Sequence, residues 1–565
     1  MYRIPRNSLC KRVSSSWKHA RTIHTNPPVA GRTPWTLIAA GSLAIGSVVA
    51  YSTYSYTRAK TLENLPEDAF PTSSSTPLSK ISPPVYATNE ELSQAIKEIE
   101  KCLPIGSVKS SKVELDAHTD NGFNTHKPLP GQTPSYIVYP NSTEEVSQVM
   151  KVVHKYNVPV VPYCGGTSLE GHFFSTRQPC IVLDTSKMNK VLAVHEDDLD
   201  CVVQAGVNWV ELNDQLQGAG LIMGCDCGPN AKISGMVNTN ASGINATMYG
   251  AMIHNVISVT AVLADGTIVK TKQRPRKSSA GYNLTHLFIG SEGTLGIITE
   301  ATVKLHVKPK YERVIVGQFP TILDSTNAVT QLFQQGIQPS AIELLDKHSM
   351  HCINYSGYTT KEWLEVPTLF FKLGGINEQV VDEYSKELER ISLENNCSAL
   401  VIAKDKEEGE ELFSARKNIF YSLLEYGKNE IHEDVSLWVT DIAVPLSKLS
   451  PVLEDVHKLI VNSGLQYIIV GHVGDGNFHA DLYYRPDEKE KCERVVNQMM
   501  ELGLSNEGTS SGEHGIGNGK RHFLEMELGE DTINLMRKLK FAMDPKRLLN
   551  PDKIFKIDPE DKSNY

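Results

Sequence analysis

The pattern of apolar and polar positions divides the chain into an apolar N-terminal stretch, a polar linker and a long body. Residues 35–56 begin WTLIAAGSLAIGSVVAY and carry no charge, so about 20 residues are available for a membrane-spanning helix. Residues 57–84 are rich in Pro and Ser, and this composition predicts an extended linker because it cannot bury a core. Within a lead-in segment at 85–132, an amphipathic pattern predicts a helix near Asn89 to Lys101.

Strand patterns in the body lead into segments rich in glycine. SYIVYP at 135–140 and VPVVPY at 158–163 are typical of strands, and Ser142 is expected to open a helix between them. The second strand continues into CGGTSLEG, whose small and hydroxyl residues are Gly165, Gly166, Thr167 and Ser168. Glycine permits positive φ and close backbone approach, so the N–H groups of this loop can bind a pyrophosphate. A plain glycine-rich turn has the same composition.

Two further segments extend this pattern. The stretch at 229–250, PNAKISGMVNTNASGINATMYG, is dense in small residues and lets backbone approach a large flat ligand. VISVTAVLADGTIVK predicts two strands joined at Asp265 and Gly266, and GSEGTLGIITEATVKL from Gly290 adds another glycine-rich turn before a strand. Neither a GxGxxG fingerprint nor a GxxxxGK[ST] P-loop occurs, so the Rossmann and nucleotide triphosphatase interpretations lose their main support.

Composition narrows the function classes. With 40% hydrophobic and 22% charged residues, most of this 565-residue chain is expected to fold, into about two to four domains. Nine of the 56 basic residues and none of the 66 acidic residues lie in the first 60 positions. The rest of the chain therefore has 47 basic and 66 acidic residues, a formal charge of −19. This charge argues against a nucleic-acid partner and favours a basic protein partner. Ten scattered cysteines give neither a disulfide framework nor a zinc ribbon.

The N-terminus has the composition of a targeting segment. Residues 1–34 are rich in Arg, Lys and Ser and contain no acid, which is typical of a mitochondrial transit peptide followed by a basic arm. The apolar segment at 35–56 then predicts a transmembrane anchor, with a buried core helix as the alternative. Basic residues flank the anchor on both sides, so the side of the membrane that the body faces stays open.

The segment with the most candidate chemistry is YIIVGHVGDGNFHADLYY, at 467–484. It predicts two strands around Asp475 and Gly476. If those two residues form a tight turn, His472 pairs with His479 and their Cβ atoms lie about 4.5–5.5 Å apart. A longer loop would loosen this arrangement without excluding it.

A second segment, SSGEHGIGNGK at 510–520, places Glu513 beside His514 among glycines. Two imidazoles and a carboxylate leave coordination positions open for a substrate, as a catalytic metal requires. Zinc and manganese both suit this ligand set. Taken alone, His472 and His479 favour ordinary packed or solvated hairpin histidines, and the addition of Glu513 and His514 turns the preference toward a metal site.

The motifs PYCGGTSLEG, NTNASG and GSEGTLGIIT, in this order and spacing, resemble the FAD-binding domain of the vanillyl-alcohol-oxidase flavoprotein superfamily. The resemblance implies an α+β fold, with a two-subdomain FAD-binding domain at 133–309 and a substrate domain with an antiparallel sheet at 310–557. Members with covalent flavin carry His where this chain has Thr167, which implies non-covalent FAD. The residues implied to contact FAD are Gly165, Gly166, Thr167, Ser168, Gly235, Asn240, Ser242, Gly243, Glu292, Gly293, Thr294 and Gly296.

GHVGDGNFH, GEHGIG and DPKRLLNPDKIF further resemble the D-lactate and D-2-hydroxyacid dehydrogenase branch. The resemblance implies oxidation of a small 2-hydroxy acid, a divalent metal on His472, His479 and Glu513, and electron transfer to cytochrome c at the mitochondrial inner membrane, with the body in the intermembrane space. His514 is implied as the base, and Arg416 as the ligand of the substrate carboxylate. Relatives that act on 2-hydroxyglutarate have a Lys near Trp438, Val439 and Thr440, and its absence here favours a monocarboxylate such as lactate.

Several alternatives stay open at this point. Within the branch, glycolate or 2-hydroxyglutarate is another substrate. A non-redox FAD enzyme similar to alkyl-glycerone-phosphate synthase has a related site, although the terminal DKSNY is not a peroxisomal signal. A non-catalytic flavin- or metal-binding scaffold would share the motifs without the chemistry.

Overall fold

A computed structural model describes residues 52–53 and 73–563 of the chain. The predicted transit peptide lies outside the described residues. The described residues include only Ser52 and Thr53 of the predicted anchor, and only the part of the predicted linker from residue 73 onward. Across the two described ranges, no helix combines the length and the apolar character needed to cross a bilayer. The chain from Ser74 onward forms one compact unit, and it carries all the predicted site residues.

Two sheets form the first part of this unit. The smaller sheet joins β2, β4 and β3 as parallel neighbours, with β1 antiparallel at its edge, and the larger sheet is antiparallel in the order β5-β6-β10-β8-β9. β7 and β11 form a separate two-stranded ribbon. The strands are β1 (Val108–Lys109), β2 (Tyr136–Val138), β3 (Val160–Tyr163), β4 (Ile181–Asp184), β5 (Val191–His195), β6 (Asp200–Gln204), β7 (Leu221–Ile222), β8 (Val256–Val262), β9 (Ile268–Lys270), β10 (Ile297–Lys304) and β11 (His306–Val307).

The helices of this part begin where the sequence offers caps. Thr88 and Glu91 form a capping box at the start of α1, and Ser142 accepts the N–H of Glu145 at the start of α3. Both predicted helices and the predicted β8–β9 hairpin are therefore confirmed. The helices are α1 (Asn89–Cys102), α2 (Lys112–Ala117), α3 (Thr143–Tyr156), α4 (Trp209–Leu216), α5 (Ile233–Asn238), α6 (Ala246–Tyr249), α7 (Met252–Asn255) and α8 (Leu284–Phe288).

An eight-stranded antiparallel sheet dominates the second part, which confirms the predicted α+β class. Its order is β15-β12-β14-β13-β18-β19-β16, and β17 also pairs with β19. The strands are β12 (Tyr311–Gln318), β13 (Ala341–Leu345), β14 (Thr368–Gly375), β15 (Ala399–Ile402), β16 (Ser436–Trp438), β17 (Ile442–Ala443), β18 (Tyr467–Gly471) and β19 (Asn477–Tyr484). The helices are α9 (Ile322–Gln334), α10 (Lys347–Ser356), α11 (Glu378–Glu394), α12 (Lys406–Tyr426), α13 (Leu446–Ser463), α14 (Lys489–Ser505) and α15 (Arg521–Met543), the last interrupted at Gly529.

The two faces of this sheet differ in chemistry. Because side chains alternate along a strand, Phe478, Ala480 and Leu482 of β19 enter one hydrophobic core. The intervening residues face α12, whose apolar side chains fill a second core. On that second face the sheet also carries buried polar residues, including Glu343 of β13 and His479 of β19. The candidate chemistry is therefore built on the face that α12 covers.

The end of the chain returns to the first part of the unit. Leu549 bridges to Val160 of β3, and Lys540 of α15 donates its Nζ to the carbonyls of Thr294 and Leu549, each at 2.7 Å. The same ammonium lies 2.6 Å from Asp544. These contacts fix the C-terminal segment against the glycine-rich segment that begins at Gly290. The predicted division at residues 309 and 310 stays a prediction.

Replacing Lys540 with Met tests this attachment. The ammonium is buried, so its loss leaves the Asp544 carboxylate without a partner cation, and the free energy of unfolding should fall by about 3–5 kcal/mol. Denaturant unfolding measures the change. Lys406→Met is the matched control, because its i,i+4 ion pair with Glu410 is exposed and should contribute at most about 0.5 kcal/mol. Equal effects of the two substitutions would contradict the assignment.

Candidate active site

The turn between β18 and β19 is longer than the sequence suggested. Val470, and not His472, pairs with His479, so the predicted two-residue turn and its register are wrong. The physical reason is a 3-10 turn at Val473–Asp475, closed by Gly476 in the left-handed region at φ 73°. This glycine lies directly against the carbonyl of Val444, so a side chain would not fit there.

The two histidines nevertheless converge. Their ring centroids are 5.8 Å apart at an interplanar angle of 87°. Nε2 of His472 lies 3.0 Å from Oε1 of Glu513, and Nε2 of His479 lies 3.4 Å from the same oxygen. One ligand atom from each of these three residues falls within 4.8 Å of the others, a separation that a single metal ion can bridge.

The opposite nitrogens of both rings have acceptors. Nδ1 of His479 donates to the carbonyl of Thr440 at 2.8 Å, and Nδ1 of His472 donates to Glu343 at 2.7 Å. A carbonyl only accepts, so His479 carries a proton at Nδ1, and Nε2 is the nitrogen that faces Glu513 and is able to coordinate a metal. Metal-binding histidines commonly show this arrangement, in which a second acceptor fixes the tautomer and the ring orientation.

Charges in this cluster compensate one another. Burial opposes a positive charge on His472, but the carboxylates of Glu343 and Glu513 outweigh it and raise its pKa well above the usual value. Burial also opposes the charge on Glu513, yet the two imidazoles hold the pKa of this carboxyl well below its usual range. The donor set therefore favours a bound positive charge beside Glu513, and it fits a divalent cation.

His514 is stacked on His479, with ring centroids 5.0 Å apart and an interplanar angle of 11°. Burial lowers the pKa of its imidazole to about 4, so the ring is neutral at neutral pH. Its Nδ1 lies 4.0 Å from Oδ2 of Asp441. A neutral imidazole next to the candidate metal ligands is able to accept a proton.

Asp441 organises the loop that carries Glu513 and His514. Its buried carboxylate accepts the backbone N–H of Glu513 at 2.9 Å, the N–H of His514 at 2.8 Å and the hydroxyl of Ser511 at 3.1 Å. Its other oxygen accepts the amide of Asn477 at 2.8 Å. Asp441, His479 and His514 also lie close enough to share an ion, but both oxygens of Asp441 already have donors. His472, His479 and Glu513 are therefore the better ligand set.

Arg416 projects from α12 toward this cluster. Its Nε donates to Glu343 at 2.6 Å, and its side chain is 12% exposed. Across residues 73–563, neither Nη group of Arg416 has a hydrogen-bond acceptor. A carboxylate from solution can therefore bind the Nη edge of the guanidinium while Glu343 holds the Nε edge.

The first glycine-rich loop has the features of a phosphate cradle. Asn121 donates to the carbonyls of Gly166 and Ser168, at 2.8 and 2.9 Å, which orients the loop. Within the described part of the chain, no N–H group of residues 165 to 168 donates to a protein acceptor. At Gly165 a Cβ would approach the carbonyl of Asn230 at 3.1 Å, and Gly166 has φ of 63°. These free donors on a glycine backbone fit a pyrophosphate.

Some of the other predicted flavin residues border free space, whereas the rest already contact other parts of the protein. An added Cβ at Gly235 in α5 would meet nothing within 4 Å, which leaves space for a ligand, and Ser242 is partly exposed. By contrast, Glu292 accepts the N–H groups of Ile516 and Gly517, at 2.6 and 2.7 Å. The positions with contacts inside the protein are Asn240, Gly243, Glu292, Gly293, Thr294 and Gly296. Their contact with FAD, like that of Thr167, stays a prediction.

Sequence reasoning missed three residues of this site. Glu343 lies in the strand AIELL, where a single acid among buried apolar residues was the available signal. Asp441 immediately precedes an apolar run, and Asn121 lies in the lead-in segment, where no motif marks it.

Two domain families match the chain. Residues 134–272 match the family described as FAD binding domain, and residues 308–554 match the family described as FAD linked oxidases, C-terminal domain. The solved 4-ethylphenol oxidase from Gulosibacter chungangensis shares the fold, with a TM-score of 0.67 and 18% identity over 85% of this chain and 99% of that one. The two matched domains together place the chain in the FAD-linked oxidase class of flavoproteins, and its fold is of the vanillyl-alcohol-oxidase type.

Full-length relatives narrow this class. The mitochondrial D-lactate dehydrogenase [cytochrome] of Kluyveromyces lactis is 47% identical over 527 residues, which cover 92% of this chain and 90% of that protein. The mitochondrial D-lactate dehydrogenase [cytochrome] 1 of Saccharomyces cerevisiae is 46% identical over 94% of this chain and 92% of its own. The chain belongs to the family of these mitochondrial D-lactate dehydrogenases.

Substituting Asn for Asp441 tests the role of this carboxylate. An amide cannot accept from both Asn477 and the N–H groups of Glu513 and His514, so one side would face a donor. We expect the affinity for divalent metal to fall about 10–100-fold, as for other residues that orient metal ligands. Metal analysis after equilibrium dialysis measures it. Asp434→Asn, at an exposed position, is the control, and unchanged affinity in Asp441→Asn would contradict this role.

Proposed function

We propose that this chain oxidises D-lactate to pyruvate, with non-covalent FAD as the hydride acceptor and cytochrome c as the final electron acceptor. The observation that carries the proposal is the convergence of His472, His479 and Glu513 beside a neutral His514. Support for the substrate and for the acceptor comes from the names of the relatives that share about half of its residues.

Each group of the site has a distinct task in this reaction. The Nη edge of Arg416 binds the substrate carboxylate, because a guanidinium offers two parallel donors. His472, His479 and Glu513 would hold a divalent cation, zinc or manganese, which when bound lowers the pKa of the substrate hydroxyl. FAD, held by the 165–168 loop, supplies the acceptor for the hydride on the alpha carbon. Thr167 offers no imidazole for a covalent link to the flavin.

His514 takes the hydroxyl proton. Nδ1 makes no hydrogen bond to Asp441 at 4.0 Å, but the negative charge of this carboxylate favours a proton on Nδ1 and leaves Nε2 as the acceptor. Across residues 73–563, Nε2 of His514 has no hydrogen-bond partner. The stacked ring of His479 keeps this imidazole beside the metal ligands. With FAD bound at the 165–168 loop, loss of this proton to His514 and of a hydride to the flavin would make up the two-electron oxidation of an alcohol to a ketone.

A small monocarboxylate is the substrate class that these surroundings support. Trp438 packs on His126 and Tyr484, and the Thr440 hydroxyl donates to the carbonyl of Ala480, so neither of these two side chains supplies a cation for a second carboxylate. 2-Hydroxyglutarate, which carries a second carboxylate, is therefore expected to be a poorer substrate than D-lactate.

The N-terminal residues complete the proposal. An acid-free basic segment at 1–34 and an apolar segment at 35–56 support import into mitochondria and anchoring in the inner membrane. The mitochondrial relatives support the same compartment. The intermembrane space is the side on which the body would meet cytochrome c.

Anaerobic mixing with D-lactate tests the reaction. The flavin absorbance of the purified chain should bleach with D-lactate, whereas a non-redox synthase or a scaffold would keep the oxidised spectrum. In His514→Ala the flavin should stay bound, and its reduction should slow by about 10²–10⁴-fold because the proton acceptor is lost. Metal analysis of the same samples tests for bound zinc or manganese. Unchanged reduction in His514→Ala would remove this residue from the role.

Ionic strength tests the acceptor. Because the body carries a formal charge of −19, a basic cytochrome should be attracted at low salt. We expect the rate of cytochrome c reduction to fall as ionic strength rises beyond about 0.1 M, since the charges are then screened. Reduction of a small neutral dye by the same enzyme is the control and should change little. A cytochrome rate that is indifferent to salt would contradict electrostatic docking.

A further inference from the structure

Glu343 joins two parts of the site that the proposed function treats separately. Its Oε1 accepts Nδ1 of His472 at 2.7 Å, and its Oε2 accepts Nε of Arg416 at 2.6 Å. The two oxygens of one carboxylate thus hold a candidate metal ligand and the candidate substrate-binding cation. Glu343 itself is not one of the three candidate metal ligands.

The position of this carboxylate is costly. Glu343 is fully buried in the middle of β13, whose neighbouring residues Ile342 and Leu344 enter a hydrophobic core. An apolar side chain in such a strand would avoid the desolvation of a charge, and replacing buried ion pairs by apolar groups is often neutral or stabilising. Burial of a charge here therefore points to a role other than stabilising the sheet.

Each of its bonds constrains one partner. The acceptor at Nδ1 of His472 fixes the ring so that Nε2 faces Glu513, as acceptors behind metal-binding histidines do. The acceptor at Nε of Arg416 fixes the plane of the guanidinium, because Nε and the two Nη atoms are coplanar. The two Nη groups, which have no acceptor across residues 73–563, are then held in that plane.

We propose that Glu343 is a positioning residue that sets both the metal-binding nitrogen of His472 and the substrate-binding edge of Arg416. This inference rests on the proposed function for the roles of those two residues. A substrate whose carboxylate binds Arg416 and whose hydroxyl meets the metal spans a fixed distance. One rigid carboxylate behind both contacts keeps that distance constant.

Glu343→Gln in the full-length enzyme tests the proposal. The amide keeps the shape of the side chain but has one oxygen for two donors and no charge. One of the two bonds therefore becomes a contact between donors, and the other loses its charge assistance. We expect two separate losses. The affinity of metal-stripped protein for Mn²⁺ should fall about 10–100-fold. The KM for D-lactate, measured with metal at saturation, should rise about tenfold or more because a charge-assisted hydrogen bond is lost.

Two further variants separate this role from general damage. Arg416→Met removes the substrate cation but leaves the bond from Glu343 to His472, so KM should rise while the affinity for Mn²⁺ stays unchanged. Asp346→Asn alters another buried carboxylate one residue beyond β13, which accepts the N–H and the hydroxyl of Ser349. It should lower stability and leave both the metal affinity and KM unchanged.

The outcomes are distinguishable. A folded, flavin-containing Glu343→Gln with wild-type Mn²⁺ affinity, or with wild-type KM at saturating metal, overturns the proposal. If this variant does not fold, Glu343→Asp keeps the charge and withdraws the oxygens, and it should show both losses in weaker form; an unchanged value of either quantity again overturns it. A wild-type protein that binds no metal and is not reduced by D-lactate would instead refute the proposed function itself.

Discussion

The site depends on one glycine-rich loop, residues 511–517, that is held by hydrogen bonds to buried carboxylates from two parts of the protein. Residues 511–517 carry Glu513 and His514 but cannot hold a shape of their own, because glycine has little conformational preference. Asp441 accepts N–H groups at the start of this loop, and Glu292 accepts those of Ile516 and Gly517 at its end. Hydrogen bonds to a buried charge are stronger than neutral ones, so the loop is held at both ends.

The same hydrogen bonds connect the flavin-binding part with the eight-stranded sheet. Glu292 belongs to a glycine-rich segment of the first part, whereas Asp441 precedes β17 in the second. The side chain of Asn550 adds to the link, since it donates to the carbonyls of His172 and Glu292. A hydride acceptor on one side and a proton acceptor on the other need a fixed separation. The buried polar bonds at this boundary supply that rigidity.

Sequence patterns predicted the elements better than the details of the site. Helix caps and strand periods located α1, α3 and the β8–β9 hairpin, because those signals are local. The prediction of a two-residue turn after His472 was wrong, because the observed 3-10 turn packs against Val444, a residue distant in sequence. Glu343 and Asp441 were not predicted as site residues, because the groups that they bind come from other strands, helices and loops that are distant in sequence. A lone acid inside an apolar strand is nevertheless a signal that can be read.

The same charges explain why metal and proton compete at His472. Two carboxylates, Glu343 and Glu513, lie on either side of this buried ring and raise its pKa, so a proton on Nε2 meets the demand for positive charge. A protonated nitrogen has no lone pair, and a cation that coordinates Nε2 must displace that proton. The proton on Nδ1 remains, because Glu343 accepts it in either case. The raised pKa of His472 and the proposed affinity for a divalent cation therefore have the same cause, the buried negative charge of Glu343 and Glu513.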